Sequence, residues 1–488
     1  MFNLKDVFFA LVIIGLLILI GRLIQQKLVW LQKLYLPESV IAGFIALLLG
    51  PQVLGAIVGG DSSVLSQGLF SEEIRSVWKQ ASGVFINIVF AALFLGETIP
   101  KPREIWKKAA PQVVFGQSLA WGQYVIGLLV TLLVLVPVFN VDPIVGALIE
   151  IAFEGGHGTA AGMQNTFAEL NFPDGGDLAV GLATVGIVAG IITGTILVNW
   201  GRRKGHISSA KTQTSELKFD EYGGLTPEEV RVQEENQESI KLKRARLMDN
   251  LLIDPLSLNF GFVGLAVGIG WVILEVMKWI ESVTWGSGDF QIVGYVPLFP
   301  MALVGGIIVQ LTLTRLGLDV LIMRSLMNNL AGLSLDIVIV SALASISLQV
   351  LGGNLGVFVI LSVVGITWNV FAFVVLAPRL IPTYWFERGI GDMGQSMGVT
   401  ATGILLLRMV DPKNNSDAFE SFAYKQLFFE PIVGGGLFTA AAPILISKFG
   451  AVTMLIVTSL LLAFFLITGF VLFGKDAKEA RKQEKLSA

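Results

Sequence analysis

The sequence predicts an all-α polytopic membrane protein: two inverted repeats of five transmembrane helices, each with a re-entrant hairpin, plus an extra C-terminal helix. Three observations lead there. The chain is 54% hydrophobic and only 15% charged, whereas soluble domains carry about 25% charged residues. Apolar runs of spanning length recur along it, each about long enough to cross a hydrocarbon core of ~30 Å. Two glycine-rich interruptions occupy corresponding places in the two halves.

The apolar runs divide the chain into two repeats, a linker and a tail. Residues 1–200 form the N-terminal repeat, 201–254 a charged cytoplasmic linker, 255–450 the C-terminal repeat, and 451–488 an extra helix with a basic cytoplasmic tail. The first repeat has predicted spans at 7–28, 36–58, 77–97, 110–136 and 178–200. The second has spans at 256–280, 292–314, 326–350, 355–377 and 427–447, and the extra helix crosses at 451–473.

The two interruptions lie in the predicted hairpins 143–166 and 383–409. The first contains Glu154-Gly-Gly-His-Gly-Thr159, and the second contains Gly391-Asp-Met-Gly-Gln-Ser-Met-Gly-Val-Thr-Ala-Thr402. Backbone polar groups in hydrocarbon need partners, so a broken helix survives only where it is buried or lines a cavity. Paired interruptions in two halves are typical of a transporter's binding site. The alternative is that these glycines only allow close helix packing.

The distribution of positive charge predicts the orientation. If both hairpins enter and leave on one side, one face collects 29 of the 34 lysines and arginines, all except Lys5, Arg75, Lys79, Lys278 and Lys448. That face is cytoplasmic by the positive-inside rule. We therefore expect a multi-pass protein of the cell (inner) membrane, with its N-terminus outside and its linker and C-terminus inside. Five crossings per half invert the second repeat, so the hairpin tips meet near mid-membrane.

The residues at the tips suit an anion and a monovalent cation. Free N–H groups attract carboxylates, whereas free carbonyl groups and neutral side-chain oxygens attract Na⁺. The candidate solute-binding residues are Gly155, Gly156, His157, Gly158, Thr159, Gly394, Gln395, Ser396, Gly398 and Thr400. The candidate cation-binding residues are Glu150, Glu154, Asn165, Asp336 and Thr402.

Several of these side chains have a second interpretation. Glu150 and Glu154, one helical turn apart, form either a cation site or a proton-sharing pair. Asp336 is a cation-site or gating acid, or else a packed, hydrogen-bonded acid. His157 either binds the solute or braces the loop. The other histidine, His206, is in the linker, so we expect no metal site beyond Na⁺.

Both interruptions resemble motifs of a known family. Gly155-Gly-His-Gly-Thr159 resembles the first-hairpin motif of the bacterial sodium/glutamate symporter family, and Met393–Thr402 resembles its second. The resemblance implies Na⁺-driven uptake of glutamate, a transport domain that carries both hairpins, and homodimers moving in elevator fashion. Glu154 stands where the family would have a small polar residue such as serine, and Ser396 replaces a glycine.

The sequence therefore predicts Na⁺-coupled symport of glutamate or a similar small anionic solute. An alternative within transport is H⁺ coupling, or another carboxylate or amino-acid substrate, because of Glu150 and Glu154. A channel or an intramembrane enzyme is the alternative of a different class, but no continuous polar stripe or nucleophile–base pair is evident. We expect no enzymatic activity, no cofactor other than Na⁺ as the coupling ion, and no nucleic-acid partner for a chain of net charge -3. The chain has no cysteine.

Overall fold

The computed structural model describes residues 2–28, 31–32, 36–58, 67–97, 99, 102–207, 254–286, 291–412 and 415–486. The regular secondary structure of these residues is helical, without strands, so the all-α prediction is confirmed for them. The first half contains α1 Leu4–Lys27, α2 Glu38–Leu48, α3 Glu72–Ala92, α4 Pro102–Val130, α5 Leu148–Phe153, α6 Gly156–Gly162, α7 Gln164–Glu169 and α8 Asp174–Lys204. The second half contains α9 Pro255–Val283, α10 Leu298–Leu316, α11 Arg324–Ser345, α12 Leu348–Gly353, α13 Leu355–Phe371, α14 Trp385–Val410, α15 Ala418–Phe429, α16 Leu437–Phe449 and α17 Ala451–Leu486.

Local sequence signals set the ends of these helices. Asn3 caps α1 by accepting a hydrogen bond from the Lys5 amide at 2.9 Å, and Asp254 caps α9 by accepting one from the Ser257 amide at 2.9 Å. Each half thus begins its first helix with a side-chain cap. Helix α8 ends at Gly205, whose φ of +70° places it in the left-handed region that favours glycine at helix ends.

Nine helices within the described residues are long and apolar enough to cross a membrane. They correspond to nine of the eleven predicted spans. The prediction of a multi-pass membrane protein is therefore confirmed by the length and composition of these helices. Helix α3, which ends at Ala92, covers most of the predicted span at 77–97 but is not among the nine. The linker lies outside the described residues, apart from its two ends.

The predicted span at 427–447 is wrong as a single helix. Helix α15 ends at Phe429 and α16 begins at Leu437, so a bend at residues 430–436 separates them. Pro431 and three consecutive glycines, Gly434–Gly436, account for the break, because proline removes an amide donor and Gly434 and Gly435 have positive φ. We call residues 430–436 the glycine bend.

The helices pack into two groups. Bundle A consists of α1–α3 and α9–α11, the first three helices of each half, which contact one another. Bundle B consists of α4, α5, α8 and α13–α17, and includes the second glycine-rich segment. Helix α6 lies at the junction, where it contacts α3 and α11 of bundle A and α5 and α8 of bundle B.

Bundle B repeats one unusual feature in each half. Helix α4 continues through a π-helical turn at Thr131–Leu135 into Val136–Phe139, with Pro137 near the start of that last piece. Helix α13 continues through a π-helical turn at Ala372–Leu376 into Ala377–Leu380, with Pro378 in the same position. A glycine-interrupted segment follows each, so the order of elements is the same in both halves.

Helix α14 folds back on itself. Its backbone leaves helical geometry at Gly398 and Val399, and a Cβ placed at Gly391 would lie 2.7 Å from Cγ of Leu407. In a straight helix those two residues would be about 24 Å apart. The arms before and after residue 398 therefore lie side by side, with Gly394 facing Gly403.

Candidate functional site

Three breaks in helical structure meet around one cavity at the junction of the two bundles. The cavity has a volume of about 620 Å³, within the range of small-molecule sites. Its lining includes Glu154–Thr159 without Gly156, Gln395 and Gly398–Thr402 at the α14 break, and Glu430 and Gly434 of the glycine bend. The remaining wall is aliphatic and aromatic, with α3 and α11 of bundle A contributing Ile86, Val89, Phe90, Leu93, Leu335 and Ile339.

The two tips contact each other directly. Gly156 has a φ of +68°, and a Cβ placed there would overlap Cγ1 of Val399. Val399 has a φ of 56°, which is exceptional for a β-branched residue and marks backbone strain. The first tip therefore requires glycine both for its backbone conformation and for its contact with the second tip.

Glu150 is a fully buried acid that joins the first segment to the glycine bend. Its Oε1 accepts hydrogen bonds from the Gly434 amide and the Thr439 hydroxyl, both at 2.8 Å. Its Oε2 accepts one from the Tyr124 hydroxyl at 2.5 Å. Glu150 does not line the cavity, so these three donors give it a positioning role behind the tip.

Glu154 differs from Glu150 in having no donor. Its side chain is 2% exposed, it lines the cavity, and neither carboxylate oxygen accepts a hydrogen bond in the described part of the chain. The Ser396 hydroxyl lies beside it but makes no hydrogen bond of good geometry with it, and the Lys425 ammonium attracts it. A buried carboxylate needs a compensating cation or a proton, so this is the position in the site best suited to either.

Two polar side chains of α6 accompany Glu154 in the lining. The hydroxyl of Thr159 is fully buried and has no hydrogen-bond partner among the described residues. Nε2 of His157 lies 2.9 Å from Oγ1 of Thr184, which itself donates to the Val180 carbonyl. His157 therefore donates to Thr184 and ties α6 to α8, and it also lines the cavity.

The second tip provides Gln395, Gly398, Thr400 and Thr402 to the lining. Thr400 donates a hydrogen bond to Oε1 of Glu430 at 3.1 Å and accepts one from Gln426 at 2.7 Å. Gly394 and Ser396 are buried behind the tip, where Gly394 packs against Gly403. The Ser396 carbonyl accepts a hydrogen bond from Gln123 at 2.7 Å.

A buried ion pair supports the second tip. Nζ of Lys425 lies 3.3 Å from Oδ1 of Asp392, and both side chains are 0% exposed. Lys425 also donates to Oε1 of Gln395 and lies 4.1 Å from the ring centre of Phe429. Lys425 is among the 29 charges assigned to the cytoplasmic face from the sequence. That assignment is wrong for Lys425, because its ammonium is buried inside bundle B.

Two of the predicted cation ligands lie away from the cavity. Asn165 is exposed on α7, with its side-chain amide beside Gly83. Asp336 is half-buried on α11 and faces Ser39 and Glu38 at the start of α2. Neither lines the cavity, although Leu335 beside Asp336 does. The structure therefore places Glu154 and Thr402 in the lining, Glu150 behind it, and Asn165 and Asp336 elsewhere.

Other residues of the site are absent from the sequence-based prediction. Glu430 and Gly434 line the cavity, and Lys425 and Asp392 form the ion pair behind it. Their signals were present in the sequence: an acid and three consecutive glycines within an apolar run, and a lysine five residues before that acid. In the described part of the chain, no cluster of three or more histidine, aspartate or glutamate residues could hold a metal ion.

The family comparison agrees with the resemblance of the two motifs. The family model described as sodium/glutamate symporter matches residues 4–414. Comparisons with curated proteins and with solved structures give no match. The matched region includes both glycine-rich segments and all of bundle A. The chain therefore belongs to the sodium/glutamate symporter family, a family of Na⁺-coupled membrane transporters.

Proposed function

We propose that this protein is a secondary active transporter that couples Na⁺ entry to uptake of glutamate or a similar small anionic solute. The observation that carries the proposal is the convergence of both glycine-rich tips and the glycine bend on one cavity between two helix bundles. Interrupted helices at such a junction are the usual construction of a secondary-transporter site. Bundle A supplies much of the apolar wall of the cavity.

We assign the coupling ion to the carboxylate of Glu154, with the hydroxyls of Thr159 and Thr402 close by in the lining. Oxygen ligands of this kind suit a hard monovalent cation. Na⁺ there would offset the negative charge that otherwise repels an anionic solute. The same unpartnered carboxylate favours a second candidate, H⁺ coupling, because a buried carboxyl group can also be neutralised by a proton.

The transport movement we propose is a displacement of bundle B against bundle A in elevator fashion. Helix α6 faces bundle A with small residues: a Cβ at Gly158 would lie 2.9 Å from Cδ1 of Ile86, and one at Gly162 would lie 3.2 Å from the Phe299 ring. A surface of small residues against hydrophobic side chains has few features that resist sliding. The contribution of corresponding helices from both halves to each bundle supports the proposed inverted repeats.

The topology and assembly that go with this proposal are those expected from the sequence. Both interrupted segments are re-entrant, the N-terminus is outside, and the linker and C-terminus are cytoplasmic. The fold-back of α14 at Gly398 and Val399 supports the re-entrant geometry of the second segment. A homodimer, with bundle A as its stationary part, completes the model.

Purified protein in proteoliposomes tests the function. Na⁺ and H⁺ gradients are imposed separately, and uptake of glutamate, aspartate, glutamine and dicarboxylates is measured. We expect glutamate to accumulate under an inward Na⁺ gradient and not under an H⁺ gradient alone. Accumulation driven by H⁺ alone would favour the second candidate, and equal uptake without any gradient would contradict coupled transport.

A further inference from the structure

The charge of the cavity lining raises the question of how an amino-acid solute is recognised. Among the described residues that line the cavity, the charged ones are Glu154 and Glu430, and none is a lysine or arginine. An anionic solute therefore faces two acids, one of which the proposed function assigns to the coupling ion. We propose that the carboxylate of Glu430 binds the ammonium group of the solute, so that the site selects amino acids over carboxylates that lack an ammonium group. This inference rests on the proposed function and specifies its substrate class.

Glu430 is held in a fixed orientation with one oxygen available. It follows the last residue of α15 and is half-buried. Its Oε1 accepts hydrogen bonds from Thr400 at 3.1 Å and from Gln426 at 2.9 Å. No described residue donates a hydrogen bond to Oε2, and the side chain lines the cavity. A carboxylate anchored through one oxygen presents the other to a ligand with little loss of side-chain entropy.

The basic side chains nearest to Glu430 already have partners. Lys425 pairs with Asp392 and donates to Gln395. Nε of Arg324 lies 2.8 Å from Oε1 of Glu97. Nη1 of Arg324 donates to the carbonyls of Ala92, Leu93 and Leu95. Both attract Glu430, but within the described chain neither comes within 4.0 Å of its carboxylate. A partly buried carboxylate without a close counter-charge favours a cationic group on the ligand.

The two acids differ in a way that separates their roles. Glu154 is 2% exposed and is enclosed by the tip, which suits a small ion. Glu430 is half-buried at the glycine bend and is accessible to a larger group. A solute with its ammonium at Glu430 would direct its carboxylates towards the Thr159 and Thr402 hydroxyls and the ion at Glu154. The two acids would then act on different groups of one bound molecule.

The test compares competitors that differ in the ammonium group. Inhibition of glutamate uptake is measured with glutamine, which keeps the ammonium, and with glutarate and N-acetylglutamate, which lack it. We expect wild-type protein to prefer the ammonium-bearing ligands. In Glu430→Gln the amide oxygen still accepts from Thr400 and Gln426, so the tip stays in place. The apparent affinity for glutamate should fall about 10- to 100-fold, the range for a lost charge-assisted hydrogen bond, while that for glutarate stays the same or improves.

Two further variants make the result decisive. Glu430→Asp keeps the charge and should retain part of the preference. Replacement of Glu420, an exposed acid on α15 that is outside the lining, by glutamine should leave the protein like wild type. An unchanged glutamate-to-glutarate ratio in Glu430→Gln at normal yield would overturn the inference, as would a wild-type protein that does not distinguish the two.

Binding to purified protein separates this inference from the proposed function. Ligand-induced thermal stabilisation is measured in detergent with saturating Na⁺ and with glutamate or glutarate as probes. Selective stabilisation by glutamate that Glu430→Gln removes would support the inference even if no Na⁺ gradient drives uptake, and the proposed function alone would then fail. If Na⁺ drives glutamate uptake but Glu430→Gln leaves the glutamate-to-glutarate ratio unchanged, the inference is wrong and the proposed function stands.

Discussion

Replacement of Gly156 by alanine tests whether the two interrupted segments meet at their tips. Gly156 has a φ of +68°, a conformation that costs an L-residue about 1–2 kcal/mol. The added Cβ would also overlap Cγ1 of Val399, and overpacking a buried contact costs about 1–3 kcal/mol. The free energy of unfolding in mixed micelles should therefore fall by about 2–5 kcal/mol, and uptake per inserted molecule should be lost.

Two matched variants separate the terms in this prediction. Gly205 has a φ of +70°, but among the described residues other than its chain neighbours no atom lies within 4 Å of an added Cβ, so Gly205→Ala should cost only the conformational term of about 1–2 kcal/mol. Adding Val399→Ala to Gly156→Ala removes the overlap and should recover the packing term, measured as a double-mutant coupling energy. The reasoning fails if Gly156→Ala costs no more than Gly205→Ala, or if Val399→Ala recovers nothing.

Three other predictions concern the bundle junction, the buried ion pair and the topology. Gly158→Val should abolish uptake at near-normal yield, because the larger side chain contacts α3 and α11 and blocks their movement past α6. Normal uptake by this variant would show that Gly158 serves packing only. Lys425→Met should destabilise the protein by about 3–5 kcal/mol by leaving a buried acid unpaired. Asp392→Asn in addition should restore much of that stability, and a double variant no more stable than Lys425→Met would contradict the pairing. Single cysteines at Asp174 and Asn415, in this cysteine-free chain, should react with impermeant maleimide from outside and from inside respectively; the same sidedness for both would refute the proposed topology.

Sequence patterns predict the features that depend on local chemistry. Apolar runs of spanning length predict most long helices. A segment that crosses lipid must satisfy its own backbone hydrogen bonds, and a helix does so. Glycine clusters predict the breaks at Gly155–Gly156 and at Gly398, since helical structure is weakest there. The contact between Gly156 and Val399 lies beyond local pattern, because it depends on how two distant segments pack.

The remaining features depend on tertiary packing or on residues that a hydropathy pattern does not register. An apolar run from 427 to 447 is indistinguishable from one span by hydropathy, yet Pro431 and Gly434–Gly436 break it. From the sequence alone, Lys425 would be assigned to the membrane interface. Its buried position follows only from its pairing with Asp392, which is on another helix. Asn165 and Asp336 have the right chemistry for a cation, but helix orientation directs them away from the cavity. Leu335 lines the cavity whereas its neighbour Asp336 does not. Spacing along the sequence does not reveal which face of a helix lines the cavity.

The Na⁺ activation curve of glutamate uptake, compared between wild-type protein and Glu154→Gln in proteoliposomes, tests the central claim most directly. Glutamine keeps the shape of this unpartnered, cavity-lining side chain and removes its charge. If Glu154 binds the coupling ion, half-maximal activation should require about 10-fold or more Na⁺, as expected for the loss of a charge-assisted contact, at equal protein yield. An identical Na⁺ curve in the variant, or wild-type uptake that does not depend on Na⁺, would contradict the account.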